Sequence, residues 1–447
     1  MIEYNHRSDG LTTMLISAIH SIRTYRPGFR VMILLLFAVG AAGARGELPS
    51  LTLVDCYERA TERNERVGVA AAEWRAAEER YRQVRDSLIP SIGLAGSAAF
   101  QNDRRDSPDA SGNRDSESYD LRVRAEQVLY RGLRTTRLAE AREAAGRAAR
   151  HDATRARELL YLDVADAFYQ VLLHDRDLAV IDRLEGALRE MVGVLQERVR
   201  LGRSRRSELL NAQTDLAEVR VEREAIRGLG TAARELLAFL IDTPAADIRL
   251  IETTGPLPDV DMQPFLQHAH KRSDILAGEA RRVEAQREQA EAQGARQPEV
   301  QAAGEWYLWE DPNEDREWNV TLSMSLPLFD EGVIRARSRE QMERVRISEL
   351  NLAALRRSAE RDVRSAHAVL ESGLAQVARL REARVLAREN YDLQQRDYEL
   401  GRSSQLDVLN ALAQWQRLER REIAADLQAR NNLVRLHVAA GRVEEAR

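Results

Sequence analysis

Few residues of this chain stand where side-chain chemistry would need them. His268 and His270 form an H-x-H pair, a spacing that metal sites use. The 447 residues hold only eight histidines and no cluster of cysteines beside that pair, so no metal site is expected. Cys56 is the only cysteine, which excludes an internal disulfide and any zinc site built from Cys ligands. The carboxylates are many but scattered, with no Ser-His-Asp constellation and no phosphate-binding loop among them. The residue types therefore point to no enzyme and to no cofactor.

The residues that draw notice stand instead at two short breaks, LGRSRRSELLNA (Leu201 to Ala212) and LGRSSQLDVLNA (Leu400 to Ala411). Gly202 and Gly401 suit the ends of helices. Arg203, Arg205 and Arg206 cluster at the first break. They read as a solvated charge run, as partner contacts or as inter-helix ion pairs, the first being the plainest. Asp407 stands where a helix starts and where the helix dipole favours a carboxylate; Glu208 is its counterpart at the first break. Trp306, Trp309 and Trp318 flank a polar stretch and suit either an aromatic girdle at a membrane surface or ordinary core packing.

The elements that hold these residues are mostly long helices. The chain is 31% charged and 5% aromatic with a net charge of -5, a composition of exposed helical faces and too acidic for a nucleic-acid binder. Residues 30 to 44 (RVMILLLFAVGAAGA) follow several arginines and end in Ala42-Gly43-Ala44, as an export signal would. Leu51 to about Leu88 has helical spacing and is expected as one helix. Arg134 to Arg200 lacks proline and would run roughly 100 Å as a helix. A second helix runs to about Leu240, and a proline-containing linker follows. Another helix is expected from about Met262 to before Pro298, and another long one from about Arg335 to Glu399.

Four stretches alternate instead. In WNVTLSMSLPL, Trp318, Val320, Leu322, Met324 and Leu326 are apolar, while Asn319, Thr321, Ser323 and Ser325 are polar. Ser91 to Phe100, Tyr119 to Leu129 and Val300 to Leu308 alternate in the same way. They predict two hairpins, each apolar on one face, with hydrophilic loops at residues 101–118 and 310–317 that would face the cell exterior. No second sheet is available to cover the apolar face, so lipid is the natural solvent for it.

The halves repeat. Leu201-Gly202-Arg203-Ser204 returns as Leu400-Gly401-Arg402-Ser403, and Glu208-Leu209-Leu210-Asn211-Ala212 as Asp407-Val408-Leu409-Asn410-Ala411. Tyr130 and Phe329, ending one strand in each half, share that offset. The sequence divides into a signal peptide (1–44), a first repeat (45–245), a linker (246–261) and a second repeat (262–447). Four strands cannot close a membrane barrel, since bacterial barrels start at about eight, and open edges are not tolerated in lipid. Several chains must then share one barrel; three would supply about twelve strands.

At this point the sequence resembles a known family. The opening LTLVDCYERATERN, the strand endings QVLYRGLR and LPLFDEGVIR, and the paired corners LGRS…ELLNA and LGRS…DVLNA resemble the motifs of TolC-like outer-membrane efflux channels. The resemblance spans about Leu51 to Gly441; Cys56 stands where that family commonly has Ala. It implies a mainly α protein with a small β part. Three chains would form a long α-helical periplasmic barrel continuing a shared 12-stranded outer-membrane β-barrel. The implied partners are outer-membrane lipid, a periplasmic adaptor and an inner-membrane pump of RND, ABC or MFS type. By resemblance Tyr398 falls on the constriction tyrosine, and Asp407 on an acidic ring with Glu208 as its weaker repeat partner. Asn410 falls where some members carry a second Asp. Gly202, Arg203, Gly401 and Arg402 become candidates for adaptor contact. The rival reading is a coiled-coil periplasmic adaptor or scaffold without a pore; it explains the helices but not the two hairpins.

Overall fold

The structure is a computed structural model and describes residues 50–103, 114–252, 255–258, 260–309 and 317–445. The expected export signal and most of the two hairpin loops lie outside the described residues. The elements run in the order α1 (Leu53–Arg63), α2 (Glu65–Asp86), β1 (Ser91–Asp103), β2 (Arg114–Arg131), α3 (Arg134–Arg200) and α4 (Arg206–Ile241). The second half gives α5 (Met262–Ala269), α6 (Ser273–Gly294), β3 (Glu299–Trp309), β4 (Trp318–Ser325), α7 (Val333–Glu399) and α8 (Gln405–Ala440). The duplication is kept in length: α3 and α7 have 67 residues each, and α4 and α8 have 36 each.

Three sequence expectations need correction. The helix expected over Leu51 to Leu88 is two helices, because Asn64 leaves helical geometry at φ -70° and ψ 125° and caps α2 by accepting from the Arg66 amide at 3.0 Å. The helix expected from Met262 likewise breaks at His270–Arg272, between α5 and α6. The strands also outrun their apolar residues. β1 continues to Asp103 and β2 begins at Arg114, inside the expected loop, because a β ladder is built from main-chain groups and tolerates polar side chains in water. At its other end β4 stops at Ser325, before Pro327, which has no amide hydrogen for a ladder.

The strands form one antiparallel sheet in the order β1-β2-β3-β4. Its register sorts the two faces. Leu94, Val123, Trp306 and Trp318 lie in one row, and Ile92, Ala125, Gly304 and Val320 in the next. On the opposite face Gly93, Arg124, Glu305 and Asn319 share a row. Arg122 reaches Asp120 at 3.2 Å and Glu305 at 3.5 Å, so charges on the polar face are largely paired. The apolar face is bare: Val320, Leu322 and Met324 are 68%, 68% and 72% exposed. β1 and β4 are the free edges of the sheet.

Each strand enters its long helix through two left-handed residues: Gly132 and Leu133 in the first half, Glu331 and Gly332 in the second. At Gly132 the backbone also approaches α6. A β-carbon there would lie 2.3 Å from the Gly294 carbonyl oxygen, so only glycine fits.

α3 is the spine. Its first half packs against α2 and α6, and its second half against α4 and α8. α7 pairs first with α6 and then with α8. The largest core lies where α1 crosses α3 and the ends of α4 and α8, around Tyr57, Tyr161, Phe168, Leu237, Ile241 and Leu427. Beside it sits a buried polar knot. Arg272, 3% exposed, donates to Asp274 at 2.8 Å, to Asp362 at 3.2 Å and to the Ala439 carbonyl at 3.1 Å. Arg155 donates to Glu158 at 2.7 Å and to the Val438 carbonyl at 3.2 Å. Arg272 thus satisfies the Ala439 carbonyl at the end of α8, and Arg155 adds a second donor to the Val438 carbonyl, which also accepts from the Gly441 amide. Among the described residues no helix is long and apolar enough to cross a membrane.

Candidate functional site

Both corners are built the same way. Gly202 and Gly401 adopt φ 69° and 70°. The Arg203 amide donates back to the Arg198 carbonyl at 2.8 Å, and the Arg402 amide to that of Asp397 at 2.7 Å. This closes each 67-residue helix with a left-handed glycine and satisfies its last carbonyls. The corners stand at the ends of α3 and α7 remote from the sheet, roughly 100 Å along each helix.

Beyond the glycines the copies diverge. At the second corner Ser404 caps α8. Its hydroxyl accepts from the Asp407 amide at 3.3 Å, and the Asp407 carboxylate accepts from the Ser404 amide at 3.0 Å and hydroxyl at 2.6 Å. These bonds hold the Asp407 carboxyl below the usual carboxylate range, so it is a charged helix-start residue. At the first corner Arg205 occupies the cap position, and no side chain there caps α4. Glu208 is half-buried, without a cap bond to match that of Asp407.

Tyr398 is joined to the other repeat. Its hydroxyl accepts from Arg198 Nη1 at 2.5 Å, and the same guanidinium lies 5.0 Å from the ring centroid. This contact ties the last turn of α3 to the last turn of α7. Arg198 has no sequence signature, since it is one arginine among many on a charged helix. Asn410 is exposed and lines a groove of about 560 Å³ between α4 and α8, together with its repeat counterpart Asn211. Arg420 also lines that groove, and joins Asp177 of α3 to Glu222 of α4. It too is invisible to sequence patterns.

The tryptophans lie far from the corners. Trp306 and Trp318 are register partners, and Trp309 pairs with Leu121. All three are exposed, at 62%, 64% and 67%, so none packs in a core. Phe100 and Tyr119 meet edge to face at 5.9 Å near the same end of the sheet. His268 is half-buried and His270 exposed. Among the described residues no group of three His, Cys, Asp or Glu side chains is placed to hold a metal ion.

With the geometry in place, comparison with known proteins is direct. The sequence model of the outer membrane efflux protein family matches residues 56–242 and 266–442, once in each half. The chain is 24% identical over 405 residues to outer membrane protein TolC of Escherichia coli K12, covering 84% of this chain and 79% of that one. Its fold is similar to the crystal structure of a membrane protein from Pseudomonas aeruginosa, with a TM-score of 0.80, 22% identity, and coverage of 87% of this chain and 92% of that one. It is also similar to the Campylobacter jejuni CmeC outer membrane channel, with a TM-score of 0.77, 15% identity and coverage of 88% and 86%. Matched in both repeats over most of its length, the chain belongs to the outer membrane efflux protein family: it is an outer-membrane efflux channel with a large periplasmic part, from a family of channels rather than enzymes.

Proposed function

We propose that three copies form one duct. The observation that carries this reading is the four-stranded sheet, apolar and bare on one face, charged on the other and unpaired at both edges. Pairing β4 of one copy with β1 of the next closes a barrel of about twelve strands and leaves no edge in lipid. The helices supply matching free faces. Val221, Leu229, Leu236 and Phe239 on α4, and Leu386 and Leu393 on α7 with Leu400 just after its end, are exposed apolar residues recurring at close to heptad spacing. Trp306, Trp309 and Trp318 then form an aromatic girdle at the outer membrane surface. Native mass measurement of the detergent-extracted protein should give three chains; a monomer or a dimer contradicts the shared barrel.

In this duct the corners converge on the periplasmic mouth, where a periplasmic adaptor and an inner-membrane pump of RND, ABC or MFS type deliver the substrate. Gly202, Arg203, Gly401 and Arg402 lie on the surface offered to the adaptor. Tyr398 and Arg198 latch the mouth, because separating α7 from α3 must break their contact. Asp407 contributes one carboxylate per copy to a ring at the mouth, with Asn410 one turn further in and Glu208 on the neighbouring corner. In planar-bilayer recordings Tyr398→Phe, which deletes the acceptor of Arg198, should raise conductance with the trimer intact. Unchanged conductance places the latch elsewhere.

A further inference from the structure

The first corner carries charge that the fold does not use. Arg203, Arg205 and Arg206 are exposed, and none has an ion pair or side-chain hydrogen bond among the described residues. They stand where α3 turns into α4, past the Arg198–Tyr398 contact at the end of α3 remote from the sheet. Two of them also oppose local stability. Arg205 fills the cap position of α4 and Arg206 its first turn, where the dipole disfavours a cation and a Ser, Asp or Asn would cap. The duplicate shows the ordinary solution at the same positions. There Ser404 caps α8 with Asp407, and Gln405 is buried. A local rule broken in one repeat and kept in the other points to a function for the broken copy.

The neighbouring corner of a second copy cannot absorb this charge. Residues 197–208 hold five arginines and two glutamates, a net of +3, while the equivalent residues 396–407 hold two arginines and three carboxylates, a net of -1. If every corner charge paired within a trimer, the mouth would still keep +2 per copy, in a chain whose total is -5.

We propose that the first corner is a docking surface for an acidic partner: the end of the periplasmic adaptor that meets it presents clustered carboxylates to Arg203, Arg205 and Arg206. This rests on the reading of the chain as a duct engaged at its periplasmic mouth, and it adds the chemistry of the partner. Clustered rim charges of this kind speed encounter and select the partner, and their effect fades with salt.

The test uses the purified trimer and two synthetic helical hairpins that differ only at the turn, four Glu in one and four Gln in the other. The Glu hairpin should bind at least tenfold more tightly at low salt, and raising the salt should erase the difference. Joint replacement of Arg203, Arg205 and Arg206 by Gln should abolish the discrimination, and joint replacement by Lys should keep most of it. Equal binding of both hairpins, or full discrimination by the Gln variant, overturns the proposal. So does a Gln variant that alters conductance or trimer stability yet discriminates as before, since the arginines would then serve the neighbouring copy. A preparation that is trimeric and conducts but does not discriminate defeats the acidic-partner proposal alone. One that is neither trimeric nor conducting defeats the underlying reading.

Discussion

Replacing Arg272 by Met keeps most of its volume and removes its charge. The guanidinium is 3% exposed and bonds both oxygens of Asp274, one of Asp362 and the Ala439 carbonyl. The variant leaves two carboxylates and a helix-end carbonyl against an apolar side chain. Removing one partner of a buried ion pair costs about 3–5 kcal/mol. Asp274 and Asp362 keep side-chain exposures of 21% and 32%, and water recovers part of that loss. The expected cost is therefore about 3 kcal/mol, roughly a hundredfold in the unfolding equilibrium. The pH dependence has a definite sign. Burial alone would raise the carboxyls of Asp274 and Asp362, but their bonds to Arg272 and, for Asp362, to Arg361 outweigh it, and both lie below the ordinary 3.8. Their stabilisation is complete above that value and is lost as pH falls below it through the folded-state pKa. The deficit of Arg272→Met should thus be full at pH 7 and smaller at pH 3. Guanidinium chloride midpoints of the detergent-purified protein measure both. An unchanged midpoint at pH 7, or a deficit equally large at pH 3, refutes the reasoning. Arg435→Met is the comparison: its 2.7 Å pair with Asp166 is half-exposed, and its loss should cost under about 1 kcal/mol.

The sheet and its joints yield two further expectations. Leu322→Arg on the bare face should cost about 2–4 kcal/mol near the bilayer midplane, whereas Thr321→Arg on the polar face should cost much less. Equal loss of folded trimer from the two variants would reverse the assigned facing. Gly132→Ala combines a φ of +58° with a β-carbon 2.3 Å from the Gly294 carbonyl oxygen; it should destabilise by about 3 kcal/mol or more. Gly332→Ala, at φ +88° but in open space, should cost only about 1–2 kcal/mol. Thermal unfolding of the two variants side by side checks the difference, and similar losses would mean that the joint yields rather than clashes.

Much of this fold was legible from residue pattern. The proline-free run from Arg134 to Arg200 is helical from end to end, and the LGRS corners mark the ends of both long helices. The apolar alternation of Trp318 to Met324 gave the facing of β4, and the register extends that facing across all four strands. The break at Asn64 was hidden because Tyr57, Ala60 and Val67 keep helical spacing through it; one residue out of helix does not disturb the phase. Buried Arg272 was hidden because a charge in a charged helix looks the same whether water or Asp362 receives it. The reach of β1 to Asp103 was hidden because its pairing uses no side chain. At the corners, sequence marked Tyr398 and Asp407 but not Arg198, which only packing identifies. The Asp407 cap follows a local spacing, S-x-x-D, that precedes the helix in the sequence.

The central claim is that three copies of this chain form a duct through the outer membrane. Single-channel recording of the purified protein in planar bilayers tests it most directly. The account predicts discrete unitary conductance steps from a detergent-requiring trimer, larger in Tyr398→Phe than in the unsubstituted protein. A water-soluble rod that needs no detergent and leaves the bilayer resistance unchanged would contradict it.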